Sequence, residues 1–376
     1  MADRAKKILI FSTSYFPFIG GAEVAIKEIT ARLPSYQFYL ITSRTGNLPR
    51  SEKIGAVRVY RIGPKMLLPV FGLLKAIVLR NQEGDFDAIF ASQASYGGGA
   101  AWLHRIFFSA PLVVNFQEGK DFARLSRLTN FFRRLILKKA DHVTAISTFL
   151  AHEAEKLGAP LSKISVIPNG VSVKDFSRPL TDVGDAVRRE FALTQDEKVI
   201  VSTSRLVPKN GMDILIRSAP ILGDILPATK WKMLIIGDGP DQQELQNLIS
   251  THNLQNRVLL LGARPHEALA GYLAVADVFV RPSRSEGLGV SFFEAMAAGV
   301  PIIAPLIGGI PDFLEGCVTG LACRPEDPQS VAEKIAFVFQ NKTVVGDITI
   351  RAKALVAEKF SWDSIAQEYK VLFDQL

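Results

Sequence analysis

Short apolar runs alternate with stretches of helical periodicity along the whole chain, and they do so in two separate series. The first holds KKILIF (6–11), FYLITS (38–43), VRVYRI (57–62), DAIFAS (87–92), PLVVNF (111–116), HVTAIS (142–147) and ISVIPNG (164–170). The second holds KVIVSTSRL (198–206), KMLIIGDGP (232–240), RVLLLG (257–262), DVFVRPS (277–283), PIIAP (301–305) and TGLACRP (319–325). Strands that alternate with crossover helices build parallel sheets, so two series predict an α/β protein of two Rossmann-like domains. The stretch from Phe176 to Val183 carries Pro, Gly and polar residues without apolar period, which places the domains at 1–180 and 181–360. After Phe360, Trp362, Ile365, Tyr369 and Leu372 recur at helical spacing and predict a last helix over 361–376.

At 376 residues, 48% hydrophobic and 22% charged, the chain has the size and balance of a two-domain globular enzyme. Its two cysteines, Cys317 and Cys323, form no CxxC pair and have no His cluster nearby, so neither a metal site nor a disulfide framework is expected. The apolar run after the basic N-terminus is short and broken by Ser, Thr and Pro, and reads as a first buried strand rather than a signal peptide. These features predict a cytoplasmic protein. Charge is uneven: residues 1–181 hold 25 Lys and Arg against 13 Asp and Glu, and the remainder 19 against 24. A basic first half implies an anionic partner there. The chain lacks zinc-finger spacing and RNA-reading aromatics, which disfavours nucleic acid and favours a membrane surface.

The segment 278–311, VFVRPSRSEGLGVSFFEAMAAGVPIIAPLIGGIP, sets Glu286 and Glu294 across a glycine-bearing loop that opens a small-residue helix. Amides of the loop, around Gly287, Leu288 and Gly289, and of the helix start favour an anion such as a diphosphate. Glu294, one turn in, can accept hydrogen bonds from vicinal ribose hydroxyls. Near the N-terminus, PFIGGAEVAIKEI follows the first strand, and Gly20 and Gly21 allow close backbone approach, but the loop is not the G-x-G-x-x-G of dinucleotide binders.

With its Glu, seven residues, then Glu, behind a Pro–Ser loop that includes Ser283, this segment resembles the donor site of retaining glycosyltransferases of family 4, also known as glycosyl transferase group 1. The Pro-x-x-Gly-Gly-Ala-Glu loop, ADHVTAIS (140–147), VIPNGVSVKDF (166–176), STSRLVPKNGMDILI (202–216) and IIGDGP (235–240) resemble further motifs of that family. The resemblance implies a GT-B fold, two Rossmann-like domains facing across a cleft, with the last helix packed on the first. It implies catalytic roles for Arg205, Lys209 and Glu286 and donor contacts for Gly20, Gly21, Gly237, Gly239, Ser283, Gly287, Leu288, Gly289 and Glu294. Gln117 and Glu118 fall on the acceptor side. Three positions depart from the family: Ser172 stands where Asp is usual, Asn210 where the Lys is usual, with Lys209 just before it, and Gln117 where His is usual.

Such an enzyme would take a nucleotide-diphosphate sugar as donor, with no cofactor and no metal, meeting the leaving phosphate with Arg205 and Lys209 and retaining the anomeric configuration. In ARLSRLTNFFRRLILKK (123–139), Leu125, Leu128, Phe131, Phe132, Leu135 and Ile136 make one helical stripe and Arg124, Arg127, Arg134 and Lys138 another. Either this helix meets anionic lipid, with a lipid-linked or membrane-adjacent glycan as acceptor, or it packs on the core with a solvated basic face. MLLPVFGLLKAIVL (66–79) adds a second apolar patch too short to span a bilayer. A nucleotide-sugar 2-epimerase of the same fold and a non-catalytic membrane-binding homologue are the alternatives. His104, His142, His152, His252 and His266 show no triad or metal spacing.

Overall fold

A computed structural model describes residues 4–18, 20–117, 127–177 and 181–376. The chain divides into two compact units, residues 1–169 with 362–376, and residues 170–361. In chain order the first unit holds β1 (Lys6–Ser12), α1 (Gly21–Ala31), β2 (Tyr36–Ser43), β3 (Ser51–Ile54), β4 (Val57–Ile62), α2 (Leu68–Glu83) and β5 (Ala88–Ala91). It continues with α3 (Tyr96–Phe107), β6 (Leu112–Phe116), α4 (Arg127–Lys139), β7 (His142–Ala145), α5 (Thr148–Lys156) and β8 (Ile164–Val166).

The eight strands order as β3-β4-β2-β1-β5-β6-β7-β8, parallel except for β3. Side chains alternate across the sheet. Ile8 and Ile10 of β1 join one core with Ile26 and Ile29 of α1. Leu9 and Phe11 point the other way, where α2 and α3 lie. A Cβ on Gly72 of α2 would sit 3.1 Å from the Ala100 Cβ and 3.4 Å from the Phe11 ring, so glycine there lets α2 close on both α3 and the sheet. His104 of α3 is buried beside Phe11 and Phe108, with ring centroids 6.3 and 4.6 Å away.

The second unit runs α6 (Val173–Ser177), α7 (Thr181–Glu190), β9 (Lys198–Thr203), α8 (Met212–Ile225), β10 (Trp231–Ile236), α9 (Gln242–Thr251) and β11 (Val258–Leu260). Then follow α10 (His266–Ala274), β12 (Val278–Val280), α11 (Val290–Ala297), β13 (Ile302–Pro305), β14 (Leu321–Cys323), α12 (Pro328–Gln340) and α13 (Lys342–Lys359). Its parallel sheet orders as β11-β10-β9-β12-β13-β14. Ile200, Leu215, Met233, Val278 and Ile335 fill one face. On the other, Phe292 and Phe293 of α11 meet Phe279, Phe313 and Phe360.

The last helix, α14 (Trp362–Gln375), returns to the first unit, where Trp362, Ile365, Tyr369, Leu372 and Phe373 complete the core under α1. The division between units lies at Asn169 and Gly170, ahead of the 180/181 boundary expected from composition. The reason is packing: α6 and α7 bury Phe176 and Val187 and rest on α10 and α11.

The apolar stripe expected on α4 divides. Arg133, Ile136 and Leu137 form its buried side, Leu135 is half-buried, and Phe131, Phe132, Arg134 and Lys138 are exposed. Residues 118–126, which include Glu118, Arg124 and Leu125, and the side chains of Arg127 and Leu128 lie outside the described residues.

Candidate functional site

In an open parallel sheet the loops after two neighbouring strands diverge where the strand order reverses, and the crevice they leave is the natural ligand position. In the second unit that point is between β9 and β12, followed by Ser204–Gly211 and Arg281–Gly289. The two loops are tied together: the Lys209 carbonyl accepts from the amides of Arg284 at 2.7 Å and Ser285 at 3.3 Å. Arg284 also reaches back with its guanidinium to both carboxylate oxygens of Asp213 and to the Pro208 carbonyl. Gly211 has φ of +69°, and any Cβ on it would lie 2.0 Å from the Pro282 carbonyl oxygen. Only glycine allows that crossing.

The glycine loop after β10 lies against the same place. Cβ atoms on Gly237 and Gly239 would fall 1.8 Å from the Ser204 oxygen and 2.1 Å from the Leu206 oxygen, so bare backbone runs beside the β9 loop. Arg205 and Lys209 project from that loop with no carboxylate partner among the described residues, and Lys209 lies in the field of Arg205 and Arg281. Its ammonium is held below the usual lysine range by desolvation first and then by Arg281 and Arg205. Concentrated positive charge without a counter-ion prepares a site for an anion. Asn210, where the family's lysine is usual, is buried and donates from Nδ2 to the Arg205 carbonyl at 2.7 Å, so it shapes the loop while Lys209 carries the charge.

The β12 loop differs in part from expectation. Glu286 is buried, forms an ion pair with Arg281, and accepts at Oε1 from the amides of Gly287 at 3.0 Å and Leu288 at 3.4 Å. The two amides expected to be open to a diphosphate are thus engaged by Glu286 itself. Ser283, also buried, accepts from Arg281 Nε at 3.2 Å. Arg281 further donates to Ser291 Oγ at 2.7 Å and covers the Phe292 ring at 4.8 Å. Burial lowers its pKa to about 10. Gly289, with φ of +91°, caps the start of α11.

Glu294, on the first turns of α11, is buried and paired at Oε1 with His266 Nε2, 2.8 Å away. That hydrogen bond raises the His266 pKa against the opposing effect of burial, and the ring edge packs on Phe176 at 5.8 Å. Arg281 has no role in the reading of the sequence, and His266 enters it only as one of two histidines, with His142, that could line a cleft. Arg281 could have been suspected as a charge ending an otherwise apolar strand; His266 carries no local signal, being far along the chain from Glu294.

The first unit has its own reversal, between β1 and β5. Around it stand Thr13 Oγ1, 3.1 Å from Ser95 Oγ, and Gln117, which donates from Nε2 to the Ser92 carbonyl at 2.9 Å and accepts from Asn169 Nδ2 at 3.3 Å. Gly20 and Gly21 open α1 beside them: a Cβ on Gly20 would meet Glu23 Oε2 at 2.7 Å and one on Gly21 the Asn169 amide at 3.7 Å. Glu23, itself buried, accepts from Ser14 Oγ. The result is a group of hydroxyls and amides with one buried carboxylate, suited to hydrogen-bonding a polyol. Among the described residues no cluster of three or more His, Cys, Asp or Glu could hold a metal, and no helix is long and apolar enough to cross a membrane.

Two family models match the chain, Glycosyltransferase Family 4 over residues 19–175 and Glycosyl transferases group 1 over residues 184–354. An uncharacterised glycosyltransferase of Methanocaldococcus jannaschii is 31% identical over 98% of this chain and 99% of its own length. The phosphatidylinositol N-acetylglucosaminyltransferase GPI3 subunit of Saccharomyces cerevisiae is 34% identical over 94% of this chain and 78% of its own. Among solved structures, Anabaena HepE in complex with UDP and glucose superposes with a TM-score of 0.81 over 99% of this chain and 100% of that one, at 23% identity. With its two parallel-sheet units and a set of charged loops at the strand reversal of the second, the chain belongs to glycosyltransferase family 4 and is a transferase of the GT-B fold.

Proposed function

We propose that the protein moves a sugar from a nucleoside-diphosphate donor to a hydroxyl of a lipid-linked or membrane-adjacent glycan, retaining the anomeric configuration and requiring no metal. The observation that carries this reading is the pair of cations, Arg205 and Lys209, without a carboxylate partner among the described residues and placed by the β9 loop at the strand reversal, where Arg281 lies in the field of both Lys209 and the buried carboxylate Glu294. Cleavage at the anomeric carbon builds negative charge on the departing diphosphate. The rigid fork of Arg205 and the point charge of Lys209 stabilise it, more strongly as water is excluded. Glu294 accepts from the ribose hydroxyls of the donor. The bare backbone at Gly237 and Gly239 leaves room for the nucleotide.

Glu286 enters as a sugar-contacting and loop-holding carboxylate. A carboxylate already bound by a guanidinium and two amides is a poor nucleophile, which favours departure and attack on one face, the leaving phosphate taking the acceptor proton, over a covalent glycosyl-enzyme. Gln117, held between Ser92 and Asn169, has no proton to exchange near neutral pH, so the epimerase reading lacks its acid or base there. HepE with UDP and glucose supports the donor class, and the GPI3 subunit, by its name, the lipid acceptor. The test is the anomeric coupling constant of the isolated product by proton NMR, with and without chelator. Retention unaffected by chelation is expected; inversion, or loss of transfer on chelation, contradicts the reading.

A further inference from the structure

The outward face of the first unit has a composition that the transfer reaction does not use. Helices α2, α3 and α4 lie in a row, α2 packed on α3 and α3 on α4. On α2, Val70, Phe71, Leu74 and Val78 fall on one stripe, and on α4 Phe131 and Phe132 stand edge to face at 5.7 Å. All six are exposed, between 41 and 59%. Large apolar side chains exposed along one row of packed helices are uncommon on a solitary soluble surface and mark a contact face. The buried sides of the same helices are already satisfied: Leu68, Ala76 and Leu79 of α2 and Ile136 and Leu137 of α4 are packed in the interior.

Charge identifies what that face meets. No acidic residue occurs from Lys65 to Gln82, from Ser92 to Gln117, or from Arg127 to Ala140, the segments that contain nearly all of the three helices. Arg134, Lys138 and Lys139 are exposed and have no ion-pair partner among the described residues, and Lys65 stands exposed ahead of α2. Of the acids that flank these segments, Glu83 pairs with Arg58, Asp85 with Arg80 and Asp141 with Arg105, and Glu118 lies outside the described residues. An apolar patch bordered by unpaired cations among the described residues matches the headgroup boundary of an anionic bilayer, where apolar side chains enter the acyl layer and Lys and Arg meet phosphate.

We propose that α2 and α4 form a membrane-docking face, in which Val70, Phe71, Leu74, Val78, Phe131 and Phe132 insert and Arg134, Lys138 and Lys139 bind anionic headgroups. This extends the lipid-linked reading of the acceptor but is tested without any transfer reaction, so either can fail alone. The helix expected from sequence to carry the contact, α4, is then the smaller part of it, and α2 the larger.

The full chain is floated with vesicles of equal parts phosphatidylglycerol and phosphatidylcholine, and with phosphatidylcholine alone. Flotation with the anionic vesicles and little with the neutral ones is expected. The triple variant Val70→Asn, Phe71→Ser, Leu74→Gln changes exposed side chains only, and its circular dichroism and melting should match the parent while its vesicle binding falls by about tenfold or more at every salt concentration. Arg134→Gln with Lys138→Gln should instead remove the salt-sensitive part of binding. Three results overturn the proposal: no flotation of the parent, equal flotation of parent and apolar variant, or light scattering that shows a dimer dispersed by the apolar variant without any vesicle binding, which would assign the face to a second copy of the chain.

Discussion

Arg281 is the residue on which the second unit's site depends most. It is buried with Glu286 as its counter-ion, and Ser283, Ser291 and the Phe292 ring complete its surroundings. Arg281→Ala would strand a buried carboxylate, a loss of about 3–5 kcal/mol; chemical denaturation should show this, and a variant as stable as the parent would mean that Glu286 turns outward. Two histidines respond to pH with opposite signs. His104 has no hydrogen-bond partner for either ring nitrogen among the described residues, and burial, then Arg80, lowers its pKa from 6.5 to about 4. With the folded value depressed, stability is full above pH 6.5 and falls as pH drops toward 4, by roughly 3 kcal/mol at most. His104→Leu should flatten that acid limb of the melting profile, and an unchanged limb would place its cause elsewhere. His266 has a raised folded value through Glu294. Its contribution is therefore complete below the unfolded pKa and is lost as pH rises through the folded one. The difference in melting temperature between parent and His266→Gln should shrink as pH rises from 6; a difference that grows would show that the ring is not the protonated partner of Glu294.

Among elements, α14 is distant in sequence from the unit it completes. Tyr369 is buried and its hydroxyl accepts from Asn115 Nδ2 at 2.7 Å, beside Phe90 and Phe373. Removing residues 361–376 should expose α1 and β2 to hydrogen exchange while β9 and β10 keep their protection; equal protection in both units would contradict the packing. This helix was legible from Trp362, Ile365, Tyr369 and Leu372, as were thirteen of the strands, because buried parallel strands are continuous apolar runs. Strand β3, SEKI, was not: it is a short, exposed edge that pairs antiparallel with β4 and has no apolar period to see. The division at Gly170 was missed because a polar, Pro-bearing stretch marks a loop whether or not it separates domains. In the site, motif residues such as Arg205, Gly237 and Glu294 could be read locally. The pairing of Glu294 with His266 and the turn of Glu286 onto its own loop amides depend on contacts and on backbone geometry that no local pattern encodes.

At the scale of the molecule, two open sheets each offer a strand reversal, and the chain equips them differently. Among the described residues the second unit carries cations without carboxylate partners, and the first hydroxyls and amides around Gln117 with the buried Glu23 held by Ser14. That division of chemistry matches a charged donor and a neutral hydroxylic acceptor. The central claim is that the charged reversal binds a nucleotide sugar and activates it for transfer. Its most direct test is to incubate the full chain with a panel of radiolabelled nucleotide sugars and lipid extract, following label from donor to acceptor for the parent, Glu294→Ala and Arg205→Ala. The account predicts that one donor class is consumed. Glu294→Ala should need about ten- to a hundredfold more donor, from the loss of a charged hydrogen-bond acceptor worth roughly 1.5–3 kcal/mol. Arg205→Ala should lower turnover by about a hundredfold, with donor affinity less affected. Failure to consume any donor, or consumption that neither substitution changes, would contradict it.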